Sequence, residues 1–191
     1  MPHYSLRVVS WSGLTQSVGV GVLAGIVAGL IVGAASRLAM RIVALVADDP
    51  LEFTVEGSAG ILAIVSLASI FPGIVYALTR RFLPWPEAAR GLLFGVAMLL
   101  VIGLPCFYGA LSNGELSRGP LDFGRGLFAA LFLLFGLTLG VVAGWLASRL
   151  PAPRRSVGSM AGYSALLLAA LIGLGVQIQV LLLVYFGVGA A

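Results

Sequence analysis

Apolar residues occur along this chain in five long runs, which short charged or proline-containing segments separate. Several of these runs exceed the roughly 18 residues that mark a transmembrane helix. Lipid offers no hydrogen-bond partners to free backbone groups, and the runs lack the alternation of a strand, so we expect helices. The pattern predicts an all-α integral membrane protein, a five-helix transmembrane bundle that forms a single domain over residues 1–191. The predicted helices span about residues 14–47, 58–79, 91–110, 126–150 and 160–187.

The first predicted helix has a small residue at every fourth position. These residues are Ser17, Gly21, Gly25, Gly29 and Gly33. In hydrocarbon, helices associate where small residues let their backbones approach closely, so the series predicts a glycine-lined packing face. The fourth helix repeats the spacing at Gly136, Gly140 and Gly144, which makes it a natural partner for the first helix. Packing inside the bundle is the favoured interpretation, and a self-association or cofactor-contacting face is the alternative.

Two arginines, Arg37 and Arg41, follow this glycine series one helical turn apart. An ionisable side chain in or near a membrane is costly unless it is paired or reaches water. One interpretation is structural, because a helix C-terminus favours positive charge and the next loop supplies four possible ion-pair partners. The other is that the two guanidiniums contact an anion or a lipid headgroup through bidentate hydrogen bonds. The four carboxylates of the loop are Asp48, Asp49, Glu52 and Glu56.

The same acidic loop alternates apolar and polar residues over positions 51–56, which predicts an extended segment at the membrane surface. Its carboxylates could bind a hard cation such as calcium, but their spacing matches no EF-hand loop. Because the chain contains one cysteine, Cys106, and one histidine, His3, it cannot form a thiolate or imidazole metal site by itself. We therefore expect no metal and no cofactor.

Few polar side chains interrupt the apolar runs. Gln177 and Gln179 in the fifth helix are two residues apart, about 200° around a helix, so they cannot face the same way. Hydrogen bonding between helices is their favoured role, and lining a polar path is the second. Ser66 and Ser69 in the second helix have no obvious base, which disfavours a serine nucleophile. Pro72 predicts a bend in that helix, because proline cannot donate the helical hydrogen bond.

Composition and charge support a membrane location. The 191 residues are 60% hydrophobic and only 9% charged, whereas soluble domains are roughly 25% charged. The basic residues are scattered over the loops between helices, so membrane lipids rather than nucleic acid are the expected partners. With five helices, seven arginines fall on the side of the N-terminus and four on the other. This asymmetry predicts a multi-pass protein with a cytoplasmic N-terminus and an outside C-terminus.

Three classes of function fit these features. The first is a non-catalytic membrane protein, a helix-packing subunit or scaffold of a larger or homo-oligomeric assembly. The second is a small oligomeric transporter or channel for an anionic solute, which would use Arg37, Arg41 and bends at Pro72 and Pro105. The third is a lipid-headgroup-modifying enzyme, in which the arginines hold the headgroup and a loop carboxylate acts as base. The sequence favours them in that order and disfavours an enzyme.

Overall fold

The structure is a computed structural model that describes residues 11–46, 48, 54–105 and 121–149, together with residues 175, 178 and 182. This part of the chain is almost entirely helical and contains no strand. Its α-helices are α1 (Trp11–Val46), α2 (Val55–Ala68), α3 (Ile70–Thr79), α4 (Glu87–Met98) and α5 (Leu121–Arg149). Three apolar helical segments in it are long enough to cross a membrane: Gln16–Val46, Val55–Phe82 and Phe123–Arg149. The second of these combines α2, α3 and the 3-10 turn Arg80–Phe82. The predicted fifth span, 160–187, lies outside the described residues except for 175, 178 and 182, which are helical.

All four predicted helices that lie in the described residues begin three to five residues earlier than the sequence pattern indicates, at Trp11, Val55, Glu87 and Leu121. The predicted extended segment at positions 51–56 is wrong at its end, because Val55 and Glu56 form the first turn of α2. Thr54 has extended geometry, and its Oγ1 accepts a hydrogen bond from the Gly57 N–H at 3.2 Å, which caps this helix. The helix expected from residue 91 begins at Glu87, directly after a proline. Positions 51–53 lie outside the described residues.

The helical segments around Pro72 and before Pro105 both depart from a regular α-helix. A single-residue break at Ser69 separates α2 from α3, and Pro72 lies in the first turn of α3. After α4, Leu99–Gly103 forms a π-helix, and Pro105 follows it closely. A proline removes one helical hydrogen bond, and the preceding turn then takes a different bonding pattern. The two irregular turns therefore coincide with the two expected proline bends.

Helix α1 packs antiparallel against α2 and α3 through its glycines. Gly21 lies beside Gly73, Gly25 beside Ser69, Gly29 beside Ser66, and Gly33 beside Leu62. A Cβ atom added at Gly25 would lie 2.5 Å from the Ser69 carbonyl oxygen, and one at Gly29 would lie 2.6 Å from the Ser66 Cα. Carbon atoms in contact are about 3.5–4.0 Å apart, so no larger side chain fits without separating the helices.

Helices α4 and α5 form a second antiparallel pair with nearly the same geometry. A Cβ atom at Gly91 would lie 2.8 Å from the Gly140 Cα, and one at Gly73 would lie 2.8 Å from the Gly25 Cα. The glycines of α5 face α4: Gly136 lies beside Gly95, Gly140 beside Gly91, and Gly144 beside Glu87. The expected pairing of this helix with the first helix is present, but it uses a different face from the one that carries these three glycines. Their small size allows α4, rather than α1, to approach the backbone of α5.

Helices α1 and α5 contact each other through a separate buried face. Its core consists of Val20, Ala24 and Ala28 of α1 and Phe135, Leu139 and Ala143 of α5, and Tyr76 of α3 packs against them. Gly124, at the start of α5, lies near Val43, at the end of α1, so these two helices are also antiparallel. In the described part of the chain, α1 therefore packs against α3 on one side and α5 on another. Helix α5 in turn connects α1 to α4.

Candidate functional site

Arg37 is held at the start of α2. Its Nε and Nη2 donate hydrogen bonds to the Ser58 Oγ at 3.2 Å and 3.0 Å, and Nη2 also donates to the Thr54 carbonyl oxygen at 3.4 Å. Gly57 provides the space, because a Cβ atom there would lie 2.9 Å from the Arg37 Nη2. The half-buried guanidinium therefore ties the last part of α1 to the first turn of α2.

The other predicted members of this site occupy exposed positions or lie outside the described residues. Arg41 and Asp48 are exposed, and Asp48 has a positive φ of 55°. Glu56 is exposed in the first turn of α2, where the helix dipole favours negative charge. Asp49 and Glu52 lie outside the described residues. Pairing between the two arginines and the loop carboxylates therefore stays a prediction.

A second polar cluster lies at the opposite end of the helices. It consists of Tyr76, Arg80, Glu87 and Arg90, and we name it the Glu87 cluster. The Arg90 Nη1 donates to the Glu87 Oε1 at 3.0 Å, and the Arg80 Nη1 lies 3.9 Å from the same oxygen. The Tyr76 hydroxyl donates to the Glu87 Oε2 at 3.3 Å. Arg80 also donates to the Ala143 carbonyl oxygen of α5 at 3.0 Å, so the cluster connects α3, α4 and α5.

The local fold explains why Glu87 can hold this position. It lies in the first turn of α4, where a carboxylate is favoured by the helix dipole. Gly144 makes room for it, because a Cβ atom there would lie 2.8 Å from the Glu87 Cγ. The ring of Tyr76 packs edge-on against Phe94, with centroids 5.4 Å apart. The carboxylate therefore lies between two guanidiniums with its helix fixed against α5.

This end of the protein has more positive than negative charge. The Glu87 cluster contains two guanidiniums and one carboxylate, and Arg81 and Arg149 lie at the same end. The Arg81 guanidinium lies 4.8 Å from the centroid of the Phe82 ring, and that of Arg149 lies 4.6 Å from Trp145. Cations stacked on exposed aromatic rings are typical of a membrane–water interface.

The Glu87 cluster is a candidate site that the sequence pattern does not reveal. From sequence, residues 80–90 are a basic turn broken by prolines. One local signal exists, because Glu87 and Arg90 are three residues apart at a helix start and can pair on one face. Nothing in the sequence indicates that Tyr76 or the Ala143 carbonyl meets them.

The remaining predicted polar residues serve their own helices or lie outside the described part. The buried Ser66 and Ser69 hydroxyls donate to the Leu62 and Val65 carbonyl oxygens, each at 2.6 Å. Gln177 and Gln179 lie outside the described residues. Among the residues that the structure describes, no group of three or more His, Cys, Asp or Glu side chains could hold a metal ion.

An apolar cavity of about 430 Å³ lies between α1, α2, α3, the π-helical segment and α5. Its walls include Met40, Ile64, Met98 and Phe132, and Ser36 and Ser69 contribute the polar atoms. Ser36 donates its hydroxyl hydrogen to the Gly33 carbonyl oxygen at 2.8 Å, and Ser69 donates within α2. The cavity therefore presents hydrocarbon walls and no hydroxyl hydrogen directed at an occupant.

The class of protein follows from these features together. Three helices long and apolar enough to cross a membrane, together with charged groups at the helix ends, indicate an α-helical membrane protein. Comparisons with protein-family models, curated proteins and solved structures give no match. Function is therefore inferred from the geometry of this chain alone.

Proposed function

We propose that this protein is a non-catalytic, multi-pass membrane protein that serves as a helix-packing subunit or scaffold of a larger or homo-oligomeric membrane assembly. In this proposal the chain is a five-helix bundle, with residues 160–187 as its fifth span and a glycine-lined face on α1. The observation that supports it most is the close backbone approach in two separate helix pairs, at Gly25 and at Gly140. Two rigid pairs provide a fixed surface for a neighbouring chain.

The polar groups of the Glu87 cluster support the same proposal. Arg80 and Arg90 bind one carboxylate, and Arg80 also binds a backbone carbonyl of α5. These contacts hold α3, α4 and α5 together at one end of the bundle, which is a structural role. Exposed apolar side chains remain at Leu92 and Val96 on α4 and at Leu100 in the π-helical segment that follows, about one turn apart. They form a stripe that a neighbouring helix or lipid can cover.

The mass of the particle in a native-like membrane tests the proposal. The chain has a mass of 19.7 kDa, and we expect native mass spectrometry of lipid nanodiscs prepared without harsh detergent to give a larger assembly. Either several copies of this chain or a stoichiometric second subunit supports the scaffold function. A monomer that moves an anion across proteoliposomes contradicts it and supports a transporter instead.

In this proposal Arg37 and Arg41 lie at the outer interface, where they pair with acidic loop residues or with lipid headgroups. Thermal stabilisation of the purified protein by inorganic phosphate distinguishes these roles. Arg37→Gln abolishes the stabilisation if the guanidinium contacts a phosphate group, whereas Arg81→Gln, at the opposite end, keeps it. Equal phosphate dependence in both variants indicates structural pairing of Arg37.

The proposed orientation has a cytoplasmic N-terminus. It is supported by four arginines at the end of the Glu87 cluster and three at the other end of the described residues. The first group is Arg80, Arg81, Arg90 and Arg149, and the second is Arg37, Arg41 and Arg125. In a Cys106→Ala background, a membrane-impermeant maleimide applied to intact cells labels Ala59→Cys and leaves Ser148→Cys unlabelled. The opposite labelling pattern reverses the orientation.

A further inference from the structure

We infer that the apolar cavity beside Met40, Ile64 and Phe132 binds one acyl chain of a phospholipid from the leaflet nearest Arg37 and Arg41. The inference requires that the chain lies in a membrane, but it is independent of assembly into an oligomer. It assigns a specific lipid site to the region where α2, the π-helical segment and α5 leave space around α1.

The dimensions of the cavity match one leaflet. On α1 its lining runs from Val32 to Met40, which is about 12 Å along a helix, and on α2 and α3 it runs from Ile61 to Pro72, about 16 Å. Half of a bilayer hydrocarbon core is about 15 Å thick. The cavity therefore extends along the helices over the depth that one acyl chain occupies.

The chemistry of the walls selects an occupant without hydrogen-bonding groups. Three phenylalanines of α5, Phe128, Phe132 and Phe135, line the cavity, and the remaining wall is aliphatic or thioether except for two serines. Both serine hydroxyls already donate to backbone carbonyls. A polar solute would lose its hydrogen bonds to water on entering, whereas hydrocarbon loses none.

The cavity opens towards lipid. Ile64 and Met40, which line it, are 59% and 39% exposed on the sides of helices long enough to span the bilayer. An acyl chain can therefore enter sideways from the surrounding lipid while its headgroup stays at the level of the arginines.

The cavity is too small to enclose a whole transmembrane helix. A helix about 10 Å wide with a pitch of 5.4 Å occupies roughly 420 Å³ per turn. The cavity volume, about 430 Å³, is far smaller than the volume of a complete span. The predicted span over residues 160–187 has about eight turns, so it and a helix from a second copy are both too large to lie inside.

Photo-crosslinking tests the assignment. The probe is a phosphatidylcholine with a diazirine halfway along one acyl chain, mixed into vesicles that contain the full-length protein. We expect the label to concentrate on peptides that line the cavity, those of residues 61–72 and 128–135. Ala68→Phe, which fills the cavity, lowers this labelling by about fivefold, equivalent to ~1 kcal/mol. Ala63→Phe, on the exposed side of the same helix, leaves it unchanged.

A second variant keeps the test decisive if Ala68→Phe fails to fold. Ile61→Phe narrows the cavity from the same helix, and it must lower the labelling in the same direction. Label spread evenly over the exposed helix surfaces overturns the inference, as does unchanged labelling in both folded variants. A disulfide from Ile64→Cys, in a Cys106→Ala background, to a cysteine placed in residues 160–187 or to a second copy also overturns it, because a protein segment would then occupy the cavity.

Discussion

Replacing Gly136 by alanine tests how much the close approach of α4 and α5 contributes to stability. A Cβ atom at Gly136 would lie 2.5 Å from the Gly95 nitrogen and 2.6 Å from the Gly95 Cα. Both atoms belong to the backbone, so no side-chain rotation can relieve the overlap. To restore a normal carbon–carbon contact of about 3.5–4.0 Å, the two helices must separate by roughly 1 Å.

The expected loss in the free energy of unfolding is the difference between two effects. Overpacking a close-packed interior costs about 1–3 kcal/mol, and the backbone overlap places Gly136→Ala near the upper value. Alanine is better than glycine in a helix interior by about 1 kcal/mol, which offsets part of that loss. The net destabilisation is about 2 kcal/mol, and at roughly 2–4 °C per kcal/mol for this chain length the Tm falls by about 4–8 °C.

The matched control is Gly126→Ala in the same helix. A Cβ atom at Gly126 would meet no other atom within 4 Å, so only the favourable helix propensity remains. The measurement is the Tm of both purified variants in the same detergent, followed by tryptophan fluorescence. Gly126→Ala is expected to melt at or slightly above the wild-type temperature. A Gly136→Ala protein that melts as high as Gly126→Ala refutes the packing explanation.

Three further variants test other contacts by the same melting assay. Gly29→Ala is expected to lower the Tm, because its Cβ atom would lie 2.6 Å from a backbone Cα, whereas Gly60→Ala, which meets nothing within 4 Å, is not; equal values contradict the α1–α2 packing. Glu87→Gln removes the carboxylate from two arginines and lowers stability by about 1 kcal/mol after allowance for its exposure. Glu56→Gln, also in a first helical turn, is the control for the lost interaction with the helix dipole and is expected to lower stability less. Tyr76→Phe removes one hydroxyl and costs about 0.5–1.5 kcal/mol; no change indicates that the Glu87 contact is weak.

The positions of the long helices are readable from the sequence because the bilayer makes simple demands. A span must be apolar and must satisfy its own backbone hydrogen bonds, so a run of apolar residues already specifies a helix. The predicted helix over residues 14–47 corresponds to Trp11–Val46, and that over 126–150 corresponds to Leu121–Arg149. The start of α2 was less readable, because the Thr54 cap extends the helix into a loop that alternates like a strand.

The choice of neighbours is not readable from the same pattern. Small residues at every fourth position allow any helix to come close, so they predict a contact without naming the partner. Gly140 thus approaches Gly91 of α4, whereas α1 meets α5 through residues such as Ala24 and Leu139. Which face of α5 contacts which helix depends on how α5 is rotated about its own axis in the bundle.

The sequence by itself determined that this is an apolar helical chain with glycine contact faces and arginines near the ends of its spans. Only the tertiary structure decided that Tyr76, Arg80, Glu87 and Arg90 meet at one end, and that an elongated apolar cavity lies near the other. The physical reason is the distance along the sequence between the residues that interact. Hydrophobic runs and glycine spacing act within one helix, whereas a hydrogen bond such as that from Arg80 to the Ala143 carbonyl joins residues 63 positions apart, and it forms only after the helices have packed.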